Sequence, residues 1–117
     1  MKFSLFSGLL AFALGAQCVA APATSSFPEK PITVVVPFAA GSPTDAVARV
    51  LSDSLSKRLG QPLIVQNRPG ATGMIGSEYV ARSQPDGYTL LFGTNTTQVA
   101  NKYFFKSISY DLSLIHI

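Results

Sequence analysis

The sequence predicts an α/β fold built on a parallel sheet, and three observations carry that prediction. Apolar runs alternate with segments of helical periodicity in the order β-α-β-α-β-α, the pattern of parallel strands joined by right-handed crossovers. The first run, ITVVVPF at 32–38, is apolar on both faces, as in a strand buried between two layers of helices. Each strand is also followed by a segment rich in glycine or small polar residues, at 38–45, 67–73 and 93–96.

Taken in order, TSSFPEKP at 24–31 is a polar, proline-containing entry to the first strand. The helix after the first loop has Ser42 as N-cap, Pro43 at its first position and Asp45 in its first turn, where a carboxylate faces free N–H groups. Val47, Val50, Leu51, Leu55 and Leu59 recur at helical spacing and are expected to face inward, with Ser52, Asp53, Ser56 and Lys57 on the other side. Lys57 and Arg58 sit in the last turn and Gly60 stops the helix. PLIVQN at 62–67 reads as the second strand, and a second helix is expected from Gly73 to Ser83 with Ile75, Tyr79 and Val80 inward. PDG at 85–87 is a turn signal, YTLLFGT at 88–94 the third strand, and 96–105 a further helical segment.

The N-terminus has a different character. Lys2 precedes the uncharged, mostly apolar run FSLFSGLLAFALGA and the small-residue segment QCVAAPA, which together make a secretory signal peptide. Cleavage is expected near Ala20 or Ala21. Gln17, rather than a small residue, precedes Cys18, which disfavours lipidation there. Loss of Cys18, the sole cysteine, leaves no disulfide, thiolate or Cys-based metal site. Without Lys2, eight basic and six acidic side chains remain, scattered along the chain with no basic run, so nucleic acid is not an expected partner.

Ligands of parallel sheets bind beyond the carboxyl ends of the strands, so the three loops define the candidate site. In the first, Ser42 and Asp45 cap a helix, and that role alone accounts for them. The same helix end, with Gly41 and the Ser42 and Thr44 hydroxyls nearby, also suits an anion. The second loop contains Gly70, Gly73 and Gly76, a spacing seen in dinucleotide-binding dehydrogenases. That reading needs the first glycine directly after the strand and an acidic residue about 20 positions on. Asn67, Arg68 and Pro69 intervene here, and the region downstream offers Thr94 and Asn95 instead of an acid. The glycines then read as an open, donor-rich backbone at a second helix N-terminus, and two such ends suit a carboxylate or dicarboxylate. Arg68 is read as structural or as a direct carboxylate contact. Catalysis has no support: His116 is the sole histidine, and the acidic residues lack metal-ligand spacing.

Four motifs in one order, PF-x-x-G with a following Asp and Ala-Arg (37–49), LGQP (59–62), NRPGA-x-G-x-IG (67–76) and PDGYTLL (85–91), resemble the Bug family. These are the extracytoplasmic substrate-binding proteins of tripartite tricarboxylate transporters. The resemblance runs from Pro28 to Asp111. It implies the N-terminal lobe of a type II periplasmic-binding-protein (Venus-flytrap) fold, incomplete here because members are longer and carry a second lobe. It also implies a non-enzymatic monomer that needs no cofactor, captures a small organic carboxylate in the periplasm and delivers it to membrane permease subunits. Dicarboxylates, tricarboxylates, acidic amino acids and aromatic acids are the ligand classes. Carried over by position, the implied binding residues are Phe38, Ala39, Gly41, Ser42, Thr44 and Asp45, then Ala71, Thr72 and Gly73, with Thr94 and Asn95 from the third loop. Ser42 stands where many members have a second glycine.

The expected organisation is therefore a signal peptide over 1–21, part of lobe 1 over 22–111, and a non-native tail over 112–117. The tail LSLIHI is what CTG-TCT-CTT-ATA-CAC-ATC encodes, which resembles a transposon-end sequencing adapter. Two alternatives to a working receptor are an NAD(P)-binding, dehydrogenase-like fragment and an inactive truncated fragment.

Overall fold

The structure is a computed structural model and describes residues 26–111. The expected signal peptide and the expected non-native tail lie outside the described residues. Three parallel strands form one sheet: β1 (Ile32–Val36), β2 (Leu63–Asn67) and β3 (Thr89–Leu91), in the order β2-β1-β3. β1 is central. Its register pairs Ile32 with Leu63 through Val36 with Asn67 on one side, and Thr33 with Thr89 through Val35 with Leu91 on the other. Ile32, Val34, Val35 and Val36 are buried, which explains why a run without polar alternation occupies this position.

The order 2-1-3 has a consequence for the site. The crossover from β1 to β2 runs one way and that from β2 to β3 runs back past β1. Right-handed connections therefore place their helices on opposite faces of the sheet. The loops leaving β1 and β3 diverge between these faces, which makes the β1/β3 boundary a topological switch point.

The first helix, α1 (Pro43–Leu59), begins as the sequence predicts. Ser42 has extended backbone and its Oγ accepts from the Asp45 N–H at 3.2 Å. Gly60 closes the helix in the left-handed region at φ 69°, its N–H donating to the Ser56 carbonyl. The expected inward face is not the one the sheet covers. Asp45, Ala48 and Ser52 are buried, whereas Val47 and Val50 are 59% and 72% exposed. The buried stripe 45–48–52 is one residue out of step with 47–51, about 100° around a helix. Ala48 and Ser52 are small, so the helix approaches the sheet closely. Ser56 Oγ then donates to the Ser52 carbonyl and accepts from the Leu63 N–H, both at 2.8 Å, joining the end of α1 to the start of β2.

The second crossover starts with a 3-10 turn (Ala71–Gly73) and continues as α2 (Met74–Ala81). Ile75 and Tyr79, expected inward, are 52% and 38% exposed. The inward contacts come from Gly73, Gly76 and Ser77, all buried. β3 is shorter than the apolar run at 88–94, and the segment after it is a π-helical turn (Thr96–Ala100) leading into α3 (Asn101–Phe104). Tyr103 and Phe104 are 80% and 75% exposed and are not part of the described core. No helix among the described residues is long and apolar enough to cross a membrane.

Candidate functional site

Because the strands are parallel, the three loops meet at one edge of the sheet, and specific contacts tie them together. Pro37, just after β1, lies under the start of α2. A Cβ on Gly76 would come within 2.8 Å of Pro37 Cβ and 3.0 Å of the Arg68 carbonyl. A Cβ on Gly73 would collide with Thr97 Cγ2 of the π-helical turn. Gly73 and Gly76 therefore serve close packing of the second loop against the first and third, a steric role.

The first loop is held by a polar cluster. The buried Asp45 carboxylate accepts from the Gly41 N–H at 2.9 Å and Arg49 Nε at 3.0 Å through Oδ2, and from Asn67 Nδ2 at 2.9 Å through Oδ1. Asn67 Nδ2 also donates to the Phe38 carbonyl at 3.1 Å, and Arg49 Nη2 donates to Asn67 Oδ1 at 3.0 Å. The hydrogen bond from Arg49, then those from Gly41 and Asn67, lower the Asp45 pKa to about 2. Such bonds favour the charged form directly. Asn67 is the last residue of β2, so this cluster binds the end of the second strand to the first loop. Arg49, four residues after Asp45, is legible as a helical pair; Asn67 carries no local sign of its partners.

The cluster also sets which donors the α1 N-terminus keeps. Pro43 has no N–H, the Asp45 N–H is capped by Ser42 Oγ, and the Ala46 N–H donates to the Ser42 carbonyl at 3.0 Å. Thr44 is then the first-turn N–H for which the helix itself supplies no acceptor. Ala39 is exposed, its carbonyl accepting from the Ser42 N–H at 3.2 Å. Asp45 itself faces the protein interior and so positions the loop.

The second loop is strained. Ala71 and Thr72 have φ of 46° and 52°, followed by Gly73 at 87°. Left-handed backbone costs about 1–2 kcal/mol for a residue with a Cβ, and a β-branched residue there is an outlier. Ala71 and Thr72 are exposed, Gly73 is buried. In the third loop, Thr94 and Thr97 close on each other: the Thr94 N–H donates to Thr97 Oγ1 at 3.0 Å, and that hydroxyl donates to the Thr94 carbonyl at 2.9 Å. Asn95 is exposed. Among the described residues, Thr94 Oγ1 is buried without a hydrogen-bond partner, an arrangement that costs about 1–3 kcal/mol if nothing else fills it.

Arg68, weighed as a carboxylate contact, lies with its guanidinium carbon 3.7 Å from the centre of the Tyr79 ring, on the outer side of α2. A groove of about 640 Å³, lined by residues including Phe27, Leu59, Val80 and Leu91, contains none of the expected binding residues. Among the described residues, no group of three His, Cys, Asp or Glu side chains could hold a metal ion.

Comparison with known proteins identifies the family. The profile of the tripartite tricarboxylate transporter family receptor matches residues 47–116. The chain belongs to that receptor family. A UPF0065 protein of Bordetella bronchiseptica is 46% identical over 103 residues, covering 88% of this chain and 31% of that protein. The chain thus spans about a third of the length of this curated relative. Three solved structures align with a TM-score of 0.71 over 74% of this chain and 29% of theirs. One is described as a periplasmic transporter (45% identical), one is MatC from Rhodopseudomonas palustris with bound malate (43%), and one is an R. palustris protein with adipate (37%). The receptor family is a family of transporter substrate-binding proteins, so the glycine spacing does not mark a dehydrogenase. The three-stranded parallel sheet matches part of a periplasmic binding protein.

Proposed function

We propose that this chain forms one half of a cradle for a small organic carboxylate, in a receptor that presents its ligand to membrane permease subunits. The observation that carries the proposal is the convergence of two helix N-termini and a polar third loop at one sheet edge. Phe38, Ala39, Gly41, Ser42, Thr44 and Asp45 form one side, and Ala71, Thr72 and Gly73 form another. Thr94 and Asn95 complete it. Their roles are unequal. Thr44 and the 39–40 backbone offer donors from the first loop, Asp45 holds that loop in shape, and the Thr94 hydroxyl awaits a partner. Helix N-termini favour negative charge without any side-chain cation, which fits an edge where Arg49 is already engaged by Asp45.

Solved relatives are described with malate and adipate bound, and a dicarboxylate is the ligand class we assign here. We further propose export to the periplasm through removal of residues 1–21, a monomeric receptor with 22–111 as part of lobe 1, and 112–117 as a non-native tail. Titration of the full chain with malate, adipate and NAD(P), followed by amide NMR, tests the reading. Malate or adipate should shift the amides of Ala39, Thr44, Thr72 and Gly73. Saturable binding of NAD(P) alone would overturn it.

A further inference from the structure

The geometry points to Asn101 as a positioning residue that, with Tyr110, holds the strained second loop in its carboxylate-receiving shape. This rests on the function proposed above and adds two residues that belong to none of the three loops. Asn101 opens α3 and is 1% exposed; Tyr110 is 5% exposed. Asn101 meets Thr72 at both its carbonyl and its side chain. Its Nδ2 donates to the Thr72 carbonyl at 3.2 Å, and its Oδ1, 3.2 Å from Thr72 Oγ1, shares that hydroxyl's hydrogen with the Ala71 carbonyl at 2.7 Å. Thr72 is the residue held at φ 52°, next to Ala71 at 46°. Backbone in this region persists when surrounding contacts over-determine it, and the Asn101 amide supplies two such contacts.

The amide is itself held. The Tyr110 hydroxyl accepts from Asn101 Nδ2 at 3.4 Å and donates to the Thr97 carbonyl at 2.5 Å. Thr97 packs against Gly73 and closes the third loop through Thr94. One chain of hydrogen bonds, buried from Asn101 onward, therefore runs Thr72–Asn101–Tyr110–Thr97. It couples the second loop to the third by residues 29 and 13 positions apart in sequence. A buried network of this kind rigidifies what it joins when its members are satisfied.

Amide NMR on the full chain, without ligand, provides the first test. Asn101→Ala should move the Thr72 and Gly73 resonances while leaving those of Gly41, Ser42, Thr44 and Asp45 in place. Tyr110→Phe, which keeps the ring in the core, should move the same resonances by less. Ala71→Gly in the Asn101→Ala background should return Thr72 and Gly73 toward their original positions, because glycine adopts a positive φ without penalty. A general packing defect would not be repaired by that second change. The ligand arm uses malate and adipate: Asn101→Ala should weaken binding about tenfold, and Ala71→Gly should recover most of it. Unmoved Thr72 and Gly73 resonances in Asn101→Ala, or no recovery with Ala71→Gly, would overturn the assignment. If neither acid binds the unmutated chain, the proposed function fails, and the ligand-free spectra still decide the role of Asn101.

Discussion

Gly76→Ala measures how closely α2 sits on the sheet. The added Cβ would lie 2.8 Å from Pro37 Cβ, 3.0 Å from Pro37 Cα and 3.0 Å from the Arg68 carbonyl oxygen. These are ring and backbone atoms of the residues that follow β1 and β2, so none can swing aside as a long side chain would. Overpacking a tight site costs about 1–3 kcal/mol, and backbone neighbours put this case in the upper part of that range. Alanine in a helix interior offsets about 1 kcal/mol relative to glycine. The net loss is then about 1–2 kcal/mol, or a fall in Tm of about 5–15 °C for a domain of this size. Urea unfolding followed by circular dichroism reads it directly. Pro37→Gly removes the Cβ that the alanine would strike, so the double-mutant cycle should show coupling of about 1 kcal/mol. A Gly76→Ala chain as stable as the original, or a cycle that is additive within about 0.5 kcal/mol, would mean that α2 does not rest on Pro37 in this way.

Other expectations concern the polar contacts. Asn67→Ala removes bonds to the Phe38 carbonyl, Asp45 and Arg49; at about 1 kcal/mol each, urea unfolding should show a loss of about 1–3 kcal/mol, and no measurable loss would deny the cluster its role. Asp45 has a depressed pKa in the folded chain, so its stabilisation is complete above its ordinary value of 3.8 and is lost as pH falls toward about 2. The Gly41 amide should report a midpoint near that lower value, Arg49→Ala should raise it, and a midpoint at 3.8 in the original chain would contradict the geometry. Arg68→Met removes a stacking contact worth about 0.5–1 kcal/mol but also an Nε that is buried without a hydrogen-bond partner among the described residues. Thermal melts should therefore change little, and a large loss would show that Arg68 has a partner the stacking geometry does not reveal.

The Asp45 cluster shows how a sequence reading can be correct about a residue's place and incomplete about its work. Ser42, Pro43 and Asp45 mark the start of α1 from composition alone, and the helix begins there. What Asp45 faces depends on Asn67, 22 positions away, and no local pattern encodes that meeting. Asn101 is a stronger case. It sits in a segment whose aromatic residues, Tyr103 and Phe104, are exposed while the asparagine is buried.

By itself, the sequence determined the strand and helix order, the caps of α1, the parallel character of the sheet and the edge at which the loops gather. All of these follow from local periodicity, turn chemistry and the handedness of crossovers, which act over a few residues or on every chain alike. Only the tertiary structure decided which face of α1 meets the sheet, what the glycines of NRPGATGMIG pack against, and which side chains hold the loops in place. Periodicity reveals that Val47, Val50 and Leu51 form an apolar stripe but not which stripe a neighbour covers. Close approach selected Ala48 and Ser52 instead, and the same demand for small size put Gly76 on the face of α2 that meets Pro37 and Gly73 at the start of that helix.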